Sequence, residues 1–323
     1  MRLSLQKPRN FNLPSNVHYK MTIRYLAILL FLSSLSFADL TIDVRTALSQ
    51  GNFTAATAEL EQYRVAHGVD PDYLEALSWM ARASLSADQL DQAATYALQI
   101  ETLAHAQLQH RALDAEPHLP LALGAAIEVQ AQVLAAQGQQ AQAVALLRHN
   151  LTIYRDTSLR SRLQKNLNML DLAGQPAPPL SAAEYFGPKP KPLTSLRGSP
   201  VLLFFWAHWC IDCKHEGPII AQLSSEFASR GLTVLAPTQL YGYAAQGQDA
   251  KPKDELAYAE QVWQHFYPGL QHVPVPVSKA NFDRYGASTT PTLVLIDRKG
   301  HVALYHPGVI SYDDLRAAIE RAM

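Results

Sequence analysis

Hydrophobic and polar positions along this chain change period twice, which divides it into three stretches. Residues 25–38, "YLAILLFLSSLSFA", are apolar with little interruption. From 40 to 170 the apolar residues recur at helical spacing. Leu90, Ala93, Ala94, Ala97 and Leu98 fall at i, i+3, i+4, i+7 and i+8, and Val144, Leu147, Leu151 and Tyr154 continue a similar stripe. Beyond 200 the signal shortens to strand length. "VLLFFWA" (201–207) is continuous and rich in β-formers, as in a strand buried on both faces, and a helical stripe through Ile220, Leu223 and Phe227 follows. The pattern predicts a helical half followed by an α/β half.

Between the halves, six of the seventeen residues from Pro176 to Pro192 are proline. Proline cannot donate to a ladder or continue a helix, so this stretch is extended or turning. The expected organisation is an N-terminal signal at 1–38, a helical domain at 39–172, a proline-rich linker at 173–192 and a second domain at 193–323. Within the helical domain, "GNFTAA" (51–56), "DQLDQAA" (88–94) and "GQQAQAV" (138–144) each place a turn residue five positions before an alanine. Small residues there let two helices approach closely. The echo resembles the tetratricopeptide repeat in three degenerate units. Spacings of 37 (Ala56 to Ala93) and 50 (Ala93 to Ala143) depart from that family's period of roughly 34. The second gap is read as holding an inserted loop, "DAEPHLPLALG" (114–124). An ordinary alanine-rich bundle is the other reading of this half.

Composition narrows the function. At 48% hydrophobic and 17% charged the chain can build packed cores, and a net charge of −1 gives no reason to expect a nucleic-acid partner. At the N-terminus, Arg24 precedes the apolar run and Ser36-Phe37-Ala38 ends it. A basic start, a short apolar run and a small-x-small exit describe a secretory signal peptide, and the run falls short of the ~20 residues of a spanning helix. An uncleaved anchor and a buried core helix are the alternatives, and Met21 is an alternative start. No cysteine follows the run, so a lipid-modified N-terminal cysteine is excluded.

Export changes how the only two cysteines are read. Cys210 and Cys213 lie in "FFWAHWCIDCKHEGP" (204–218), where the buried strand gives way to a helix. The unpaired amides and macrodipole of a helix N-terminus stabilise a thiolate there. A second cysteine one turn along can resolve a mixed disulfide, and disulfide exchange needs this pair. A purely structural bridge at this spacing closes almost no loop. Zinc could use Cys210 and Cys213 with His208 and His215, but structural zinc usually takes its second ligand pair from a distant segment. Inert thiols do not suit a helix mouth beside Asp212, Lys214 and His215. No cofactor and no metal are expected, since the two sulfurs are themselves a redox group.

The stretch 204–218 resembles the thioredoxin-fold active site, and its WCxxCKxExP form is similar to the exported TlpA/ResA-like branch. The resemblance runs from the linker to the C-terminus, through "LTSLRGSPVLLFFWA" and "FDRYGASTTPTLVLIDRKGHV" (282–302). It implies a multidomain chain, an all-α helical-repeat-like domain followed by an α/β thioredoxin-fold domain. It further implies Cys210 as nucleophile, Cys213 as resolving thiol, a redox disulfide between them, and Trp209 beside them. Thr290-Pro291 becomes the expected cis bond facing the disulfide, with a trans proline entering an edge strand as the other reading. Pro218 should kink the helix. Residues 236–277 become an insertion typical of the branch. It carries an amphipathic helix (Leu256, Ala259, Trp263, Phe266) and a mobile tip at 241–254 that shapes partner choice. One departure is clear. Thioredoxins proper carry a buried Asp six residues before the first cysteine, and Phe204 stands there. Glu216 is one candidate proton carrier for Cys213, its plain reading being a solvated first-turn carboxylate. His208 and His215 either tune the thiolate or are ordinary surface residues.

These residues point to an exported, periplasmic thiol–disulfide oxidoreductase acting on protein disulfides. Its implied partners are a membrane thiol electron donor and a protein recruited by the helical domain. Asp212 favours a reducing potential, whereas Lys214 and any protonated histidine oppose it. The resemblance favours a reductant over a dithiol oxidase. From a different class, the chain could be a helical-repeat adaptor whose second domain is a redox-sensitive docking module. Thiol peroxidase chemistry needs Thr or Ser where Ala207 stands.

Overall fold

The computed structural model describes residues 39–323, so the signal expected at 1–38 lies outside the described residues. The first half consists of α1 (Leu40–Ser49), α2 (Phe53–His67), α3 (Pro71–Ser86), α4 (Leu90–Leu108), α5 (His118–Ala136), α6 (Gln140–Ile153) and α7 (Arg160–Asp171). Consecutive helices pair, α1 packs on α3 and α3 on α5, and α7 closes the stack against α5 and α6. The three sequence echoes are the turns inside the three pairs. Gly51, Asp88 and Gly138 have φ of 70°, 58° and 78°. The amide of each next residue reaches back to the preceding helix: Asn52 to Ala47 O (3.0 Å), Gln89 to Ser84 O (2.9 Å) and Gln139 to Leu134 O (2.8 Å). This left-handed cap satisfies carbonyls that the helix end would leave unpaired. Ala56, Ala93 and Ala143, five residues on, are fully buried where the helices meet.

At the middle turn an aspartate takes the conformation that glycine occupies in the other two. Left-handed backbone costs a non-glycine residue about 1–2 kcal/mol. Asp88→Gly is therefore expected to raise the urea midpoint and Asp88→Val to lower it, with the m-value unchanged. An order other than Gly > Asp > Val would mean that the turn is not under this constraint.

The loop expected over 114–124 is shorter than the sequence suggested, because α5 opens at His118. The Glu116 carboxylate accepts from the His118 and Leu119 amides (2.7 and 2.8 Å), capping a helix whose first turn tolerates Pro120. Among the described residues α5 is the one helix long and apolar enough to cross a membrane. It is mostly buried here between α3, α4, α6 and α7, as a helix apolar on every side should be.

The second half comprises β1 (Tyr185–Phe186), β2 (Val201–Phe205), α8 (Ile211–Glu226), β3 (Thr233–Leu235), α9 (Pro252–Phe266), β4 (Val275–Pro276), α10 (Lys279–Tyr285), β5 (Thr292–Ile296), β6 (Val302–Pro307) and α11 (Tyr312–Ala322). A mixed sheet runs β3-β2-β5-β6, parallel only between β2 and β3, and β1 pairs separately with β4. Both faces of the sheet are covered, which explains the unbroken apolar run in β2. Leu202 and Phe204 pack with Ile220, Leu223, Leu315 and Ile319, while Val201, Leu203 and Phe205 pack with Phe282 and Tyr285.

The proline-rich segment is extended, as its prolines require, but it is not a free tether. Gly174 donates to Val302 O (2.8 Å), Val302 to Gln175 O (2.9 Å) and Ala177 to Gly300 O (2.9 Å). Ser181 exchanges two backbone bonds with the Asn281 side chain (2.7 and 2.8 Å). The segment thus edges β6 and ends in β1. The helical half also packs directly on the second half, through α7 against α10. There Asn168 Nδ2 donates to Tyr285 O (2.8 Å) and the Ser161 hydroxyl to Asp283 Oδ1 (2.7 Å).

Candidate active site

Phe205 at the end of β2 pairs with Thr292 at the start of antiparallel β5. The chain leaving β2 towards Cys210 and the chain arriving through Pro291 therefore lie at the same end of the sheet. Trp206 fixes the exit. Its amide donates to Pro237 O (3.1 Å) and its indole to Ala236 O (3.0 Å), and its ring packs on Trp263 and Tyr267 at 4.9 and 5.3 Å.

Cys210 is the N-cap of α8, and its Sγ accepts from the Cys213 amide at 3.0 Å. The two sulfurs are joined in a disulfide. Cys213 is fully buried and Cys210 is 3% exposed, between exposed Trp209 and Ile211. Position, cap and partner amide together set a sulfur at the positive end of a helix. Asp212 and His215 are exposed on α8. Lys214 sets its ammonium 4.2 Å from the Phe266 ring centroid, which engages that cation with an aromatic face. Pro218 lies inside α8, which runs on to Glu226.

The Thr290-Pro291 peptide is cis. Pro291 O accepts from the Gly308 amide (2.8 Å), and Thr290 Oγ1 is buried with no hydrogen-bond partner.

Glu216 is not a solvated carboxylate. It is 2% exposed, and its Oε1 has no hydrogen-bond partner. Burial pushes its pKa up to about 7, against an opposing pull from the Ile310 amide. Between the ordinary glutamate range near ~4.3 and about 7, the folded chain keeps a proton that the unfolded chain has released. Through this group, stability must fall as pH rises across that window. Glu216→Gln should therefore gain stability relative to wild type between pH 4.5 and 7.5, read from urea midpoints at both values. A difference independent of pH would contradict the raised pKa.

His208 is not a surface residue either. It is buried, with Nε2 3.2 Å from Oε1 of Glu255 in the first turn of α9, and Glu255 is equally buried. Burial holds the imidazole pKa below the usual value, against the pull of that carboxylate. The rings of Tyr241, Tyr243 and Tyr258 stand edge-on around it at 5.4 to 5.6 Å. Glu255 also accepts from the Tyr241 and Gly242 amides (2.5 and 2.8 Å). Tyr241 in turn meets Trp209 edge-on at 5.5 Å. The tip expected at 241–254 is thus a closed loop, with Ala244 donating to Gln248 O and Ala250 to Gly242 O (2.8 and 2.9 Å), and its last residues belong to α9. Of the predicted amphipathic stripe, Ala259 and Trp263 are buried, whereas Phe266 is exposed and covers Lys214.

The zinc set weighed from sequence is not brought together, since His208 is bound to Glu255 and His215 is exposed. Glu255 is the residue that sequence reasoning missed. Following Pro252 in a first helical turn, it reads as an ordinary helix-dipole carboxylate.

Residues 194–323 match the thioredoxin-like domain family, and this part of the chain is a thioredoxin-like domain. The chain is 30% identical over 141 residues to the thiol:disulfide interchange protein DsbE of Xylella fastidiosa, covering 43% of this chain and 64% of that one. It is 27% identical over 148 residues to the thioredoxin-like protein YneN of Bacillus subtilis, covering 46% and 78%. With the thiol-disulfide oxidoreductase ResA of Geobacillus thermodenitrificans it shares 27% over 131 residues, covering 40% and 66%. The chain thus spans a little under two thirds of the DsbE and ResA relatives, and these alignments cover less than half of it.

Proposed function

We propose, taking the thioredoxin-like domain at residues 194–323 as the premise, that this chain is an exported thiol–disulfide oxidoreductase that reduces disulfides in protein substrates. The observation that carries the reading is the Cys210–Cys213 disulfide at the N-cap of α8, across the end of the sheet from Pro291. In the reduced protein Cys210 is the thiolate. It attacks one sulfur of a substrate disulfide, forming a mixed disulfide and releasing the other substrate sulfur as a thiolate. Cys213 then loses its proton and attacks Cys210 Sγ. The second substrate sulfur leaves, and the protein's own disulfide forms. Two electrons pass to the substrate in each cycle, together with the proton from Cys213, and the other substrate thiolate takes its proton from solvent. A membrane thiol donor returns them.

Each neighbour has a role in that cycle. The helix N-terminus favours the Cys210 thiolate. Glu216, one turn beyond Cys213 on the same helix, exchanges the proton that Cys213 must lose, and its pKa of about 7 suits that task near neutral pH. Trp209 and the backbone at Thr290 face the incoming peptide. The helical half serves as a scaffold that brings a partner protein to this end of the chain. Export rests on the apolar run at 25–38 and its small-residue exit.

Direction is tested by the equilibrium reduction potential of the purified protein against glutathione or dithiothreitol buffers. A value near or below thioredoxin's, about −270 mV, is expected of a reductant. A value near DsbA's, about −120 mV, would make the chain a dithiol oxidase instead.

A further inference from the structure

In the helical half, α1 and α3 line an open cavity of about 590 Å³. Its wall is unusual in charge. The guanidinium carbons of Arg45 and Arg82 stand 4.3 and 4.6 Å from the ring centroid of one tryptophan, Trp79. Two like charges therefore lie within ~9 Å of each other, and among the described residues neither is in an ion pair. The two carboxylates that act on Arg82, Glu75 and Glu128, are each bound to another cation. Glu75 is bound to His118 at 2.6 Å, and Glu128 to Arg162 and Lys165 at 2.7 and 3.5 Å. Burial pushes the Arg82 guanidinium down to about 10, with Arg162 and Arg45 adding to that pressure and Glu128 and Glu75 opposing it. Two guanidinium groups thus converge on one cavity, stacked on the same indole ring.

We infer that the Arg45–Trp79–Arg82 cavity is a binding site for a carboxylate-bearing peptide segment of a partner protein. Arginine pairs bidentately with a carboxylate, and two guanidinium groups on one cavity suit a segment that carries more than one. Volume argues against a lone small anion, because the cavity has the size of a pocket for a ligand of many atoms. Ile42 and Leu48 line it beside the arginines, so the ligand that fits carries apolar side chains between its acidic ones. Nothing in this inference depends on disulfide exchange, and a chain with both cysteines replaced by serine is expected to bind equally well.

Fluorescence anisotropy of the full chain with a fluorescein-labelled peptide, LDLDEL with a free C-terminus, tests the site. Binding is expected to weaken as salt is raised, and to weaken about 10-fold or more in Arg82→Gln and in Arg45→Gln. Arg45 is exposed, so the second variant reports on binding even if the first disturbs folding. Equal binding of the neutral LNLNQL amide, or unchanged binding by both variants, would overturn the proposal. Displacement of the peptide by equimolar inorganic phosphate would also overturn it, in favour of a small-anion pocket.

Discussion

Cys210→Ser is expected to abolish reduction of protein disulfides, by about 10³-fold or more, in an insulin turbidity assay. The chain has no third cysteine to substitute. Cys213 cannot take over, because it is fully buried and lies one turn inside α8 instead of at its cap. Only the Cys210 sulfur sits where the helix amides converge, and the thiolate is the nucleophile. The same change should cost far less in stability than in turnover. A bridge across three residues closes a short loop, so its loss removes about 2 kcal/mol or less of conformational restriction from the unfolded chain. Turnover lost about 10³-fold in a chain that still unfolds cooperatively is the pair of results that separates chemistry from folding. Retained turnover would place the reaction elsewhere.

The largest stability effect is expected from Gly286→Ala, at about 3 kcal/mol or more. Gly286 ends α10 with φ of 60°, where a side chain costs about 1 kcal/mol or more before any contact is counted. A Cβ there would also stand 2.3 Å from the Lys165 amide nitrogen and 2.6 Å from the Gln164 carbonyl carbon, both backbone atoms of α7. Backbone cannot rotate away as a side chain can, so α7 must lift off α10. Overpacking of this kind costs about 1–3 kcal/mol. Lifting also strains the Asn168–Tyr285 bond, which contributes about 1 kcal/mol. Gly308→Ala is the control. Gly308 has φ of 99° with nothing within 4 Å of an added Cβ, so only the backbone cost applies. Urea denaturation should rank Gly286→Ala well below Gly308→Ala. Equal losses would mean that the α7–α10 seam yields without cost.

What could be read beforehand followed the range of the forces involved. The turn residues Gly51, Asp88 and Gly138 and the alanines five positions on are local signals, and each marks a real helix pair. The apolar run of β2 and the CxxC at the mouth of α8 are likewise local, and both stand where the sequence put them. The seam at 173–192 was half legible. Proline dictates its extended backbone, but its bonds to Gly300 and Val302 depend on residues more than 100 positions away. Glu255 and His208 are 47 positions apart, and nothing near either announces that they share a buried site. The burial of Glu216 was undecidable for the same reason. The first-turn placement expected of it is off by one turn, since Glu216 is the sixth residue of α8, and a carboxylate there reads as solvated until the packing around it is known.

The most direct test of disulfide exchange is Cys213→Ala, expressed in cells as the full chain and trapped with acid before alkylation. With the resolving thiol gone, mixed disulfides with substrate should accumulate and run as reducible high-mass species on a non-reducing gel. Every such adduct must pass through Cys210, the one cysteine left. The account predicts adducts in Cys213→Ala and none in the double variant with Cys210→Ser. An absence of adducts in Cys213→Ala would contradict it, and the thioredoxin-like domain would then be better read as a docking module.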